Sequence, residues 1–197
     1  MKKIILLTVL TILIVGCAGI NVNKSAAYMY SNGDSEFKVT KVLFEKYVGY
    51  QVEYFYPNNP QPFFINLRYD PESLEDIEID RTIFHKIKND ETIYITINPF
   101  ENLTSKTTIA AMEIDKIIDN QYFFNIEVKS SMTEEYANYP IKTCNDATKE
   151  SSVIWLKLGE ETKITSEENC IIVEATTEDD MIRAADRLSL YLIGIMP

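Results

Sequence analysis

Three cysteines, Cys17, Cys144 and Cys170, are the side chains of this 197-residue chain whose types and spacing most directly suggest chemistry. A thiol can be acylated, can ligate a metal ion, or can oxidise to a disulfide. The chain has no CxxC pair and a single histidine, whereas cysteine metal sites and redox sites usually have such neighbours. We therefore expect acylation and disulfide formation rather than metal binding or redox catalysis.

Residues 1–16 have the composition of an export signal peptide. Lys2 and Lys3 give a positive start, and the run 4–15 is apolar except for two threonines. The residues Ile-Val-Gly-Cys that end at Cys17 resemble the recognition box of a lipoprotein signal peptidase, and cleavage there would leave Cys17 as a lipid-modified N-terminus. The sequence therefore predicts lipidation at Cys17.

Two other interpretations of the N-terminal segment stay open. Residues 4–20 reach the short end of the length that spans a bilayer, so the segment could remain as an uncleaved signal anchor. Ordinary secretion after cleavage is the other alternative. All three interpretations place the rest of the chain outside the cytoplasm. There the small, polar residues 17–35 are predicted to form a flexible tether, and residues 36–197 a single folded domain.

Cys144 and Cys170 remain once Cys17 is assigned to the anchor. Because thiols oxidise outside the cytoplasm, we predict a disulfide between these two cysteines, in preference to a metal pair or a redox pair. Such a bridge would contribute about 3–4 kcal/mol to stability in the chain-entropy description of disulfides.

Carboxylates are concentrated between residues 70 and 80. In an extended chain Asp76, Glu78 and Asp80 would share one face, and grouped oxygen ligands suit Ca²⁺. The segment lacks the glycine and the spacing of an EF-hand loop, so we interpret it as a solvated acidic connection, with Ca²⁺ binding as the alternative. Asp70, Asp76 and Asp80 are also candidates for a hydrolase that cleaves glycosidic bonds with two carboxylates.

The remaining polar candidates have ordinary explanations. His85, the only histidine, is interpreted as a surface or packing residue rather than as a general acid or base. Arg183, Asp186 and Arg187 are interpreted as a salt-bridged solvent face, with an anion or glycan contact as the alternative. The chain has no GxGxxG and no GxxxxGK[ST] motif, and we assign no catalytic residue, no metal ligand and no cofactor.

The net charge excludes one class of partner. The chain has 30 acidic and 19 basic residues, a formal net charge of −11, and loss of Lys2 and Lys3 with the signal peptide would deepen it to −13. A protein that binds nucleic acid by neutralising phosphates needs a basic face. We therefore expect no nucleic acid partner.

Hydrophobic patterns predict the elements that must position these residues. Aromatic and β-branched residues dominate residues 37–70 and predict two or three antiparallel strands. The alternating residues Val52, Tyr54 and Tyr56 are interpreted as a half-buried sheet face, with a ligand-stacking platform as the alternative. Further strands are predicted at 93–97, 123–128, 153–158 and 170–175, with a short edge strand near 163–165. Helices are predicted at 81–88, from Thr104 or Ser105 to about 119, and from Thr177 to Gly194.

The order of these elements predicts one α/β or α+β domain. It would have a mixed sheet with two main helices, a β-rich N-terminal part and one disulfide. The strand, helix and strand within residues 93–128 fit a right-handed parallel crossover.

Residues 139–197 contain the runs YPIKTCNDAT, VIWLKLGEETKI and CIIVEATTEDDMIRAADRLSLYLIGIMP. Their pattern is a Thr-Cys-x-x-Ala-Thr turn, a second cysteine that opens a strand, and a helix with Ala-Asp-Arg-Leu. It resembles the C-terminal part of uncharacterised exported envelope proteins and lipoproteins from archaea. The resemblance implies an extracellular location and supports the bridge between Cys144 and Cys170, and it implies no activity.

Together these features predict a non-catalytic binding or interaction module on the outer face of the cytoplasmic membrane. Its expected partners are the membrane, through the N-terminal anchor, and an envelope protein or a glycan. The alternatives are an extracytoplasmic carboxylate-dependent hydrolase and a subunit of a surface assembly. The sequons at Asn23 and Asn102 are compatible with glycosylation.

Overall fold

The computed structural model describes residues 25–56 and 59–197. The predicted signal peptide, the predicted lipidation site Cys17 and the sequon at Asn23 lie outside the described residues. Within them the chain forms ten strands and three helices, which confirms the predicted mixture of strands and helices. The strands are β1 Ser25–Ser31, β2 Glu36–Leu43, β3 Val48–Phe55, β4 Pro62–Leu67, β5 Glu78–Ile79, β6 Thr92–Ile97, β7 Glu127–Met132, β8 Val153–Leu158, β9 Lys163–Glu167 and β10 Cys170–Ala175. The helices are α1 Ile83–Ile87, α2 Ser105–Ile118 and α3 Glu178–Leu192.

The first four strands form the predicted β-rich N-terminal part, an antiparallel sheet in the order β1-β2-β3-β4. Val39, Val52 and Ile65 lie side by side across β2, β3 and β4 and are almost fully buried. Because side chains alternate along a strand, these residues define the face of the sheet that packs on the rest of the protein.

Strand β1 corrects the predicted tether. Residues 17–35 are predicted to be flexible, but residues 25–31 pair with β2. The side chain of Asn32 accepts hydrogen bonds of 3.0 and 2.8 Å from the backbone amides of the second and third residues after it, which holds the turn into β2. Along β1, Tyr30 is buried and Tyr28 is partly buried against the hydrophobic core, whereas Met29 between them is exposed. The tether prediction is therefore wrong for residues 25–35.

The other six strands form a mixed sheet in the order β5-β9-β10-β8-β6-β7. Strands β10, β8, β6 and β7 run parallel, and β9 runs antiparallel to β10. Helix α2 connects β6 to its parallel neighbour β7, which confirms the predicted parallel crossover. Strand β9 is not the predicted edge strand, because the two-residue strand β5 pairs with its outer side.

The strand predicted at 123–128 lies at Glu127–Met132 instead. The chain leaves α2 through a turn in which the carbonyl oxygen of Asn120 accepts hydrogen bonds from the amides of Phe123 and Asn125. Asn125 has a φ of 53°, a left-handed conformation that asparagine tolerates better than most residues do. The aromatic residues of this segment therefore lie in a turn rather than in the sheet.

Helices α2 and α3 form a layer between the two sheets. Helix α3 packs on β10, β8 and β9 with one side and along α2 with another. Its remaining side receives hydrogen bonds from Arg68 and Tyr69, directly after β4. Ten of its fifteen residues are buried, as expected of a helix that is covered on opposite sides.

Both main helices begin and end close to the predicted residues. The side chains of Thr104 and Thr177 accept hydrogen bonds from backbone amides in the first turns of α2 and α3. The Glu178 carboxylate also accepts hydrogen bonds of 2.7 and 3.1 Å from the amides of Thr104 and Thr107, so α3 supplies a second cap to α2. Gly194 follows α3 with a φ of 75°, a conformation that commonly ends a helix and that glycine adopts at least cost.

Cys144 and Cys170 form the predicted disulfide, with 5.0 Å between their Cα atoms. It joins the loop before β8 to the first residue of β10. The Thr96 hydroxyl of β6 donates a hydrogen bond of 2.8 Å to the carbonyl oxygen of Lys142 in the same loop. The Lys142 ammonium lies 4.6 Å from the ring centroid of Tyr94. The loop before β8 therefore covers part of the mixed sheet, and the disulfide fastens it.

Replacement of both bridge cysteines, in the variant Cys144→Ala/Cys170→Ala, is expected to lower the free energy of unfolding by about 3–4 kcal/mol. The physical reason is that the loop of 26 residues would be open in the unfolded chain. Urea unfolding followed by circular dichroism measures the change. Wild-type protein in dithiothreitol is the matched control and should show the same loss, whereas an unchanged midpoint in both samples would contradict a stabilising bridge.

Candidate functional site

The seam between the four-stranded sheet and the rest of the protein holds two groups of chemically distinctive side chains. One is a cluster of charged residues that we call the polar joint, formed by Arg68, Glu113, Lys116 and Asp186. The other is a cleft that opens to solvent and that we call the aromatic cleft. It is lined by Tyr54, Tyr56, Phe84, Lys88, Tyr122, Phe123 and Phe124.

Asp186 lies on α3 and is fully buried. One carboxylate oxygen, Oδ2, accepts hydrogen bonds from the backbone amides of Arg68 and Tyr69 at 2.8 and 2.9 Å. The other oxygen, Oδ1, has no hydrogen-bond partner among the described residues. Because β4 ends at Leu67, Asp186 supplies acceptors for the amides that follow the strand.

Burial raises the pKa of Asp186 to about 7, because the carboxylate loses its hydration inside the protein. The negative charge of Glu113 adds to this increase, whereas the Lys116 ammonium and the two backbone amides oppose it. Near neutral pH the side chain therefore exists in both protonated and ionised forms.

Arg68, Glu113 and Lys116 form an ion-pair network beside Asp186. The Arg68 Nε atom donates to Glu113 Oε1 at 2.9 Å, and the Lys116 ammonium binds the other oxygen of the same carboxylate. Lys116 also donates to the carbonyl oxygen of Asn66 in β4. The Arg68 guanidinium carbon lies 3.9 Å from the centroid of the Tyr47 ring. The network thus connects α2 to the end of β4, and Asp186 connects α3 to the same place.

Two neighbouring carboxyl groups, one with a raised pKa, are what an acid and base pair would use. In the polar joint, however, the exposed fraction is 0% for Asp186 and 7% for Glu113. Both carboxylates already accept hydrogen bonds from groups of the protein. A substrate has no access to either carboxyl group in this arrangement, so the polar joint serves as a structural connection.

The three carboxylates considered for a hydrolase bind separate partners. The pairs are Asp70 with the Tyr28 hydroxyl, Asp76 with the Arg183 guanidinium, and Asp80 with the Ser166 hydroxyl. The hydrogen bond from Ser166 holds the pKa of Asp80 below its usual value. Each of these carboxylates therefore has a local structural role.

The Ca²⁺ alternative for the acidic segment gains no support from the described residues. Only Glu78 of the three suggested ligands lies in a strand, the short β5, so the residues do not form one extended face. Across residues 25–56 and 59–197, no group of three or more His, Cys, Asp or Glu side chains is positioned to hold a metal ion. Asp76 and Glu78 are exposed, which agrees with a solvated acidic connection.

The solvent face suggested for Arg183, Asp186 and Arg187 is wrong for two of the three residues. Arg183 pairs with the exposed Asp76 at 2.7 Å. Asp186 and Arg187 are buried, because the segments that follow β4 and α3 cover this side of the helix. Arg187 Nη1 donates a hydrogen bond of 2.6 Å to the carbonyl oxygen of Met196.

The aromatic cleft has a volume of about 300 Å³ and lies where β3, α1 and the turn after α2 meet. Phe123 is at its centre, with its ring centroid 5.7 Å from that of Tyr54 and 5.6 Å from that of Tyr56. Tyr122 is 57% exposed and Phe84 37% exposed. The rings of Tyr54, Tyr56, Tyr122 and Phe123 contact one another in tilted and edge-on geometries.

Two residues that line the aromatic cleft have polar groups, the hydroxyl of Tyr56 and the ammonium of Lys88. The Tyr56 hydroxyl is shielded from solvent and has no hydrogen-bond partner among the described residues, and burial raises its pKa. Lys88 caps the C-terminus of α1, is exposed, and forms no ion pair with any described residue. Because the Tyr56 hydroxyl is shielded, a ligand in the open cleft has no access to it in this arrangement, and Lys88 is the polar group of the cleft that a ligand can reach.

The sequence identified only part of this cleft. The stacking alternative named Tyr54 and Tyr56 but missed Tyr122 and Phe123, because the prediction places a strand at 123–128, directly after Tyr122. The aromatic run is preceded and followed by asparagines, which favour turns, and this signal would have placed the rings outside the sheet.

The single histidine, His85, and the sequon residue Asn102 both lie at the surface. His85 is exposed, in agreement with its interpretation as a surface residue, and its ring centroid lies 5.7 Å from that of Phe84. Asn102 is exposed in the loop before α2. The Thr104 hydroxyl of the same sequon donates a hydrogen bond of 2.9 Å to Glu178.

Comparison with models of known protein families gave no match, and neither curated proteins nor solved structures matched the chain. In the part of the chain that the structure describes, no helix is both long and apolar enough to cross a membrane. The geometry of the aromatic cleft and of the polar joint is therefore the basis for a functional proposal.

The polar joint predicts a stability that depends on pH. The pKa of Asp186 is about 7 in the folded protein and about 4 in an unfolded chain. Between these values the folded state holds a proton that the unfolded state has released. The free energy of unfolding should therefore fall as the pH rises through this window, by roughly 1.4 kcal/mol for each unit of difference between the two pKa values.

The variant Asp186→Asn isolates this effect, because an amide has no charge and its oxygen can still accept both backbone hydrogen bonds. We expect the stability of the wild type relative to this variant to fall between pH 4 and pH 8 in urea titrations. Asp76→Asn, which replaces an exposed carboxylate, is the control. Above pH 5 its free energy of unfolding should fall with rising pH as that of the wild type does. A difference between wild type and Asp186→Asn that stays constant with pH would contradict the titration of Asp186.

Proposed function

We propose that this protein is a membrane-anchored extracytoplasmic binding module that holds its ligand in the aromatic cleft and performs no catalysis. The observation that carries the proposal is the combination of two exposed aromatic side chains, Tyr122 and Phe84, with the exposed Lys88 in one open cleft. Its volume of about 300 Å³ lies at the lower end of the range for small-molecule sites.

The state of the acidic residues supports binding over hydrolysis. Asp186 and Glu113 are enclosed in the polar joint. Asp70, Asp76 and Asp80 each bind a different group of the protein. No particular contact favours the carboxylate-dependent hydrolase or the surface-assembly subunit over a binding module.

The proposed location rests on the sequence of residues 1–17 and on the bridge between Cys144 and Cys170, since disulfides persist in oxidising compartments. The net charge of −11 does not attract anionic headgroups, so the lipid on Cys17 would hold the protein. Because β1 begins at Ser25, the tether would be limited to residues 17–24, which span at most roughly 30 Å when extended. The domain would therefore stay close to the membrane surface.

The variant Cys17→Ser tests the anchor. We expect the wild-type protein to be recovered in the membrane fraction. Mass spectrometry should find an N-terminal peptide that begins at an acylated Cys17. The variant should lose the acyl mass and leave the membrane fraction, because serine has no thiol to modify. Ala18→Ser, which places a serine one residue later, is the control and should stay acylated. Membrane retention of Cys17→Ser at the wild-type level would contradict lipid anchoring.

A further inference from the structure

We infer that the hairpin between β2 and β3 docks on the surface of the lipid bilayer, an inference that rests on the proposed anchoring at Cys17 and adds a second membrane contact. We call residues 43–48, where the two strands end and begin, the hairpin tip. Its aliphatic side chains would enter the headgroup region of the bilayer. Exposure, position and charge each support this contact.

Two exposed aliphatic side chains form one patch on the hairpin tip. Leu43 is 65% exposed and Val48 is 49% exposed, and the two residues are directly opposite each other in the pairing of β2 with β3. Directly opposed residues of antiparallel strands have Cβ atoms about 5 Å apart, so the two side chains present a continuous apolar surface.

The patch lies on the face of the sheet that elsewhere packs on the rest of the protein. Leu43 is four residues from Val39 along β2, and Val48 is four residues from Val52 along β3. An even spacing along a strand places side chains on the same face. Val39 and Val52 are fully buried, whereas Leu43 and Val48 are exposed. The hairpin therefore extends beyond the layer that covers this face and leaves its apolar side chains open to an outside surface.

The position of the hairpin tip makes the bilayer its partner. Exposed apolar side chains are common on proteins, so their location decides what they contact. Ser25, the first residue of β1, pairs with Lys41, two residues before Leu43, which places the patch about 10 Å from the start of the domain. Residues 17–24 span at most roughly 30 Å, so an anchor at Cys17 holds this end of the sheet near the headgroups. Tethering raises the effective concentration of the bilayer at the patch, and a small apolar contact then suffices for docking.

The charge of the hairpin tip also suits a membrane surface. Residues 41–48 contain two lysines and one glutamate, whereas the whole chain has a net charge of −11. Lys46 is exposed and forms no ion pair with any described residue. Lysine side chains beside an apolar patch can extend to the lipid phosphates. Headgroups therefore repel the hairpin tip less than they repel the rest of the protein.

The test uses the full, acylated protein, extracted from membranes and reconstituted into phosphatidylcholine nanodiscs that contain a nitroxide-labelled lipid. The nitroxide accelerates the relaxation of nearby nuclei, which NMR of the Leu, Val and Ile methyl groups measures. We expect the largest enhancement at the methyl groups of Leu43 and Val48. Leu158, which is 36% exposed at the end of β8 in the other sheet, should show no enhancement.

The double variant Leu43→Thr/Val48→Thr assigns the docking to the patch. Threonine keeps the preference for a strand, and both sites are exposed, so the unfolding midpoint should stay unchanged. Loss of apolar burial by two partly exposed side chains should weaken docking about tenfold. The relaxation enhancement at the neighbouring Val42 should fall with it. Leu158→Thr is the matched control and should keep the wild-type enhancement at Val42.

Enhancement that is centred on Leu43 and Val48, that the double variant reduces and that Leu158→Thr preserves is the expected result. If the protein stays on the nanodiscs but the enhancement is strongest elsewhere, is absent throughout the domain or persists in the double variant, the inference is overturned while lipid anchoring stands. A protein that elutes apart from the nanodiscs in gel filtration overturns the anchoring, and the inference with it.

Discussion

The carboxylate of Asp186 is the contact on which the arrangement of the layers depends. Helix α3 packs on the mixed sheet with one side, and Asp186 holds the backbone directly after β4 on the opposite side. Apolar packing between layers has little directionality, whereas two hydrogen bonds to consecutive amides fix a position. Without this acceptor, Arg68 and Tyr69 would each have an unsatisfied amide at the interface, at a cost of about 1–3 kcal/mol per group.

The seam that Asp186 closes also creates the aromatic cleft. Tyr54 and Tyr56 come from the side of the four-stranded sheet, and Phe123 comes from the turn after α2. The polar joint sets the position of one layer on the other, and this position determines how closely the rings approach. Burial of a carboxyl group costs stability, and the Lys116 ammonium offsets part of that cost. The proposed binding function therefore depends on a contact outside the cleft.

Local signals predicted most of the fold. Strands β6, β8 and β10 and helices α2 and α3 lie within a few residues of their predicted positions, because hydrophobic periodicity and threonine caps are local properties. Strand β1 was missed, because four of its seven residues are serine or alanine, which have little preference for strands, and its pairing partner β2 is not a local signal. The burial of Asp186 was missed because its partner Arg68 is 118 residues away in the sequence, and the local spacing with Arg183 resembles an exposed face. The aromatic cleft was found only in part for the same reason, since three separate segments form it.

Hydrogen exchange of the Arg68 and Tyr69 amides tests the central claim most directly. These amides follow the last residue of β4, and their protection depends on the carboxylate of Asp186. Measured by NMR in the native protein, both should exchange as slowly as the amides of β8 in the mixed sheet, because they open only when the layers separate. Exchange as fast as that of an exposed loop, with β8 still protected, would contradict the role of Asp186 in joining the layers.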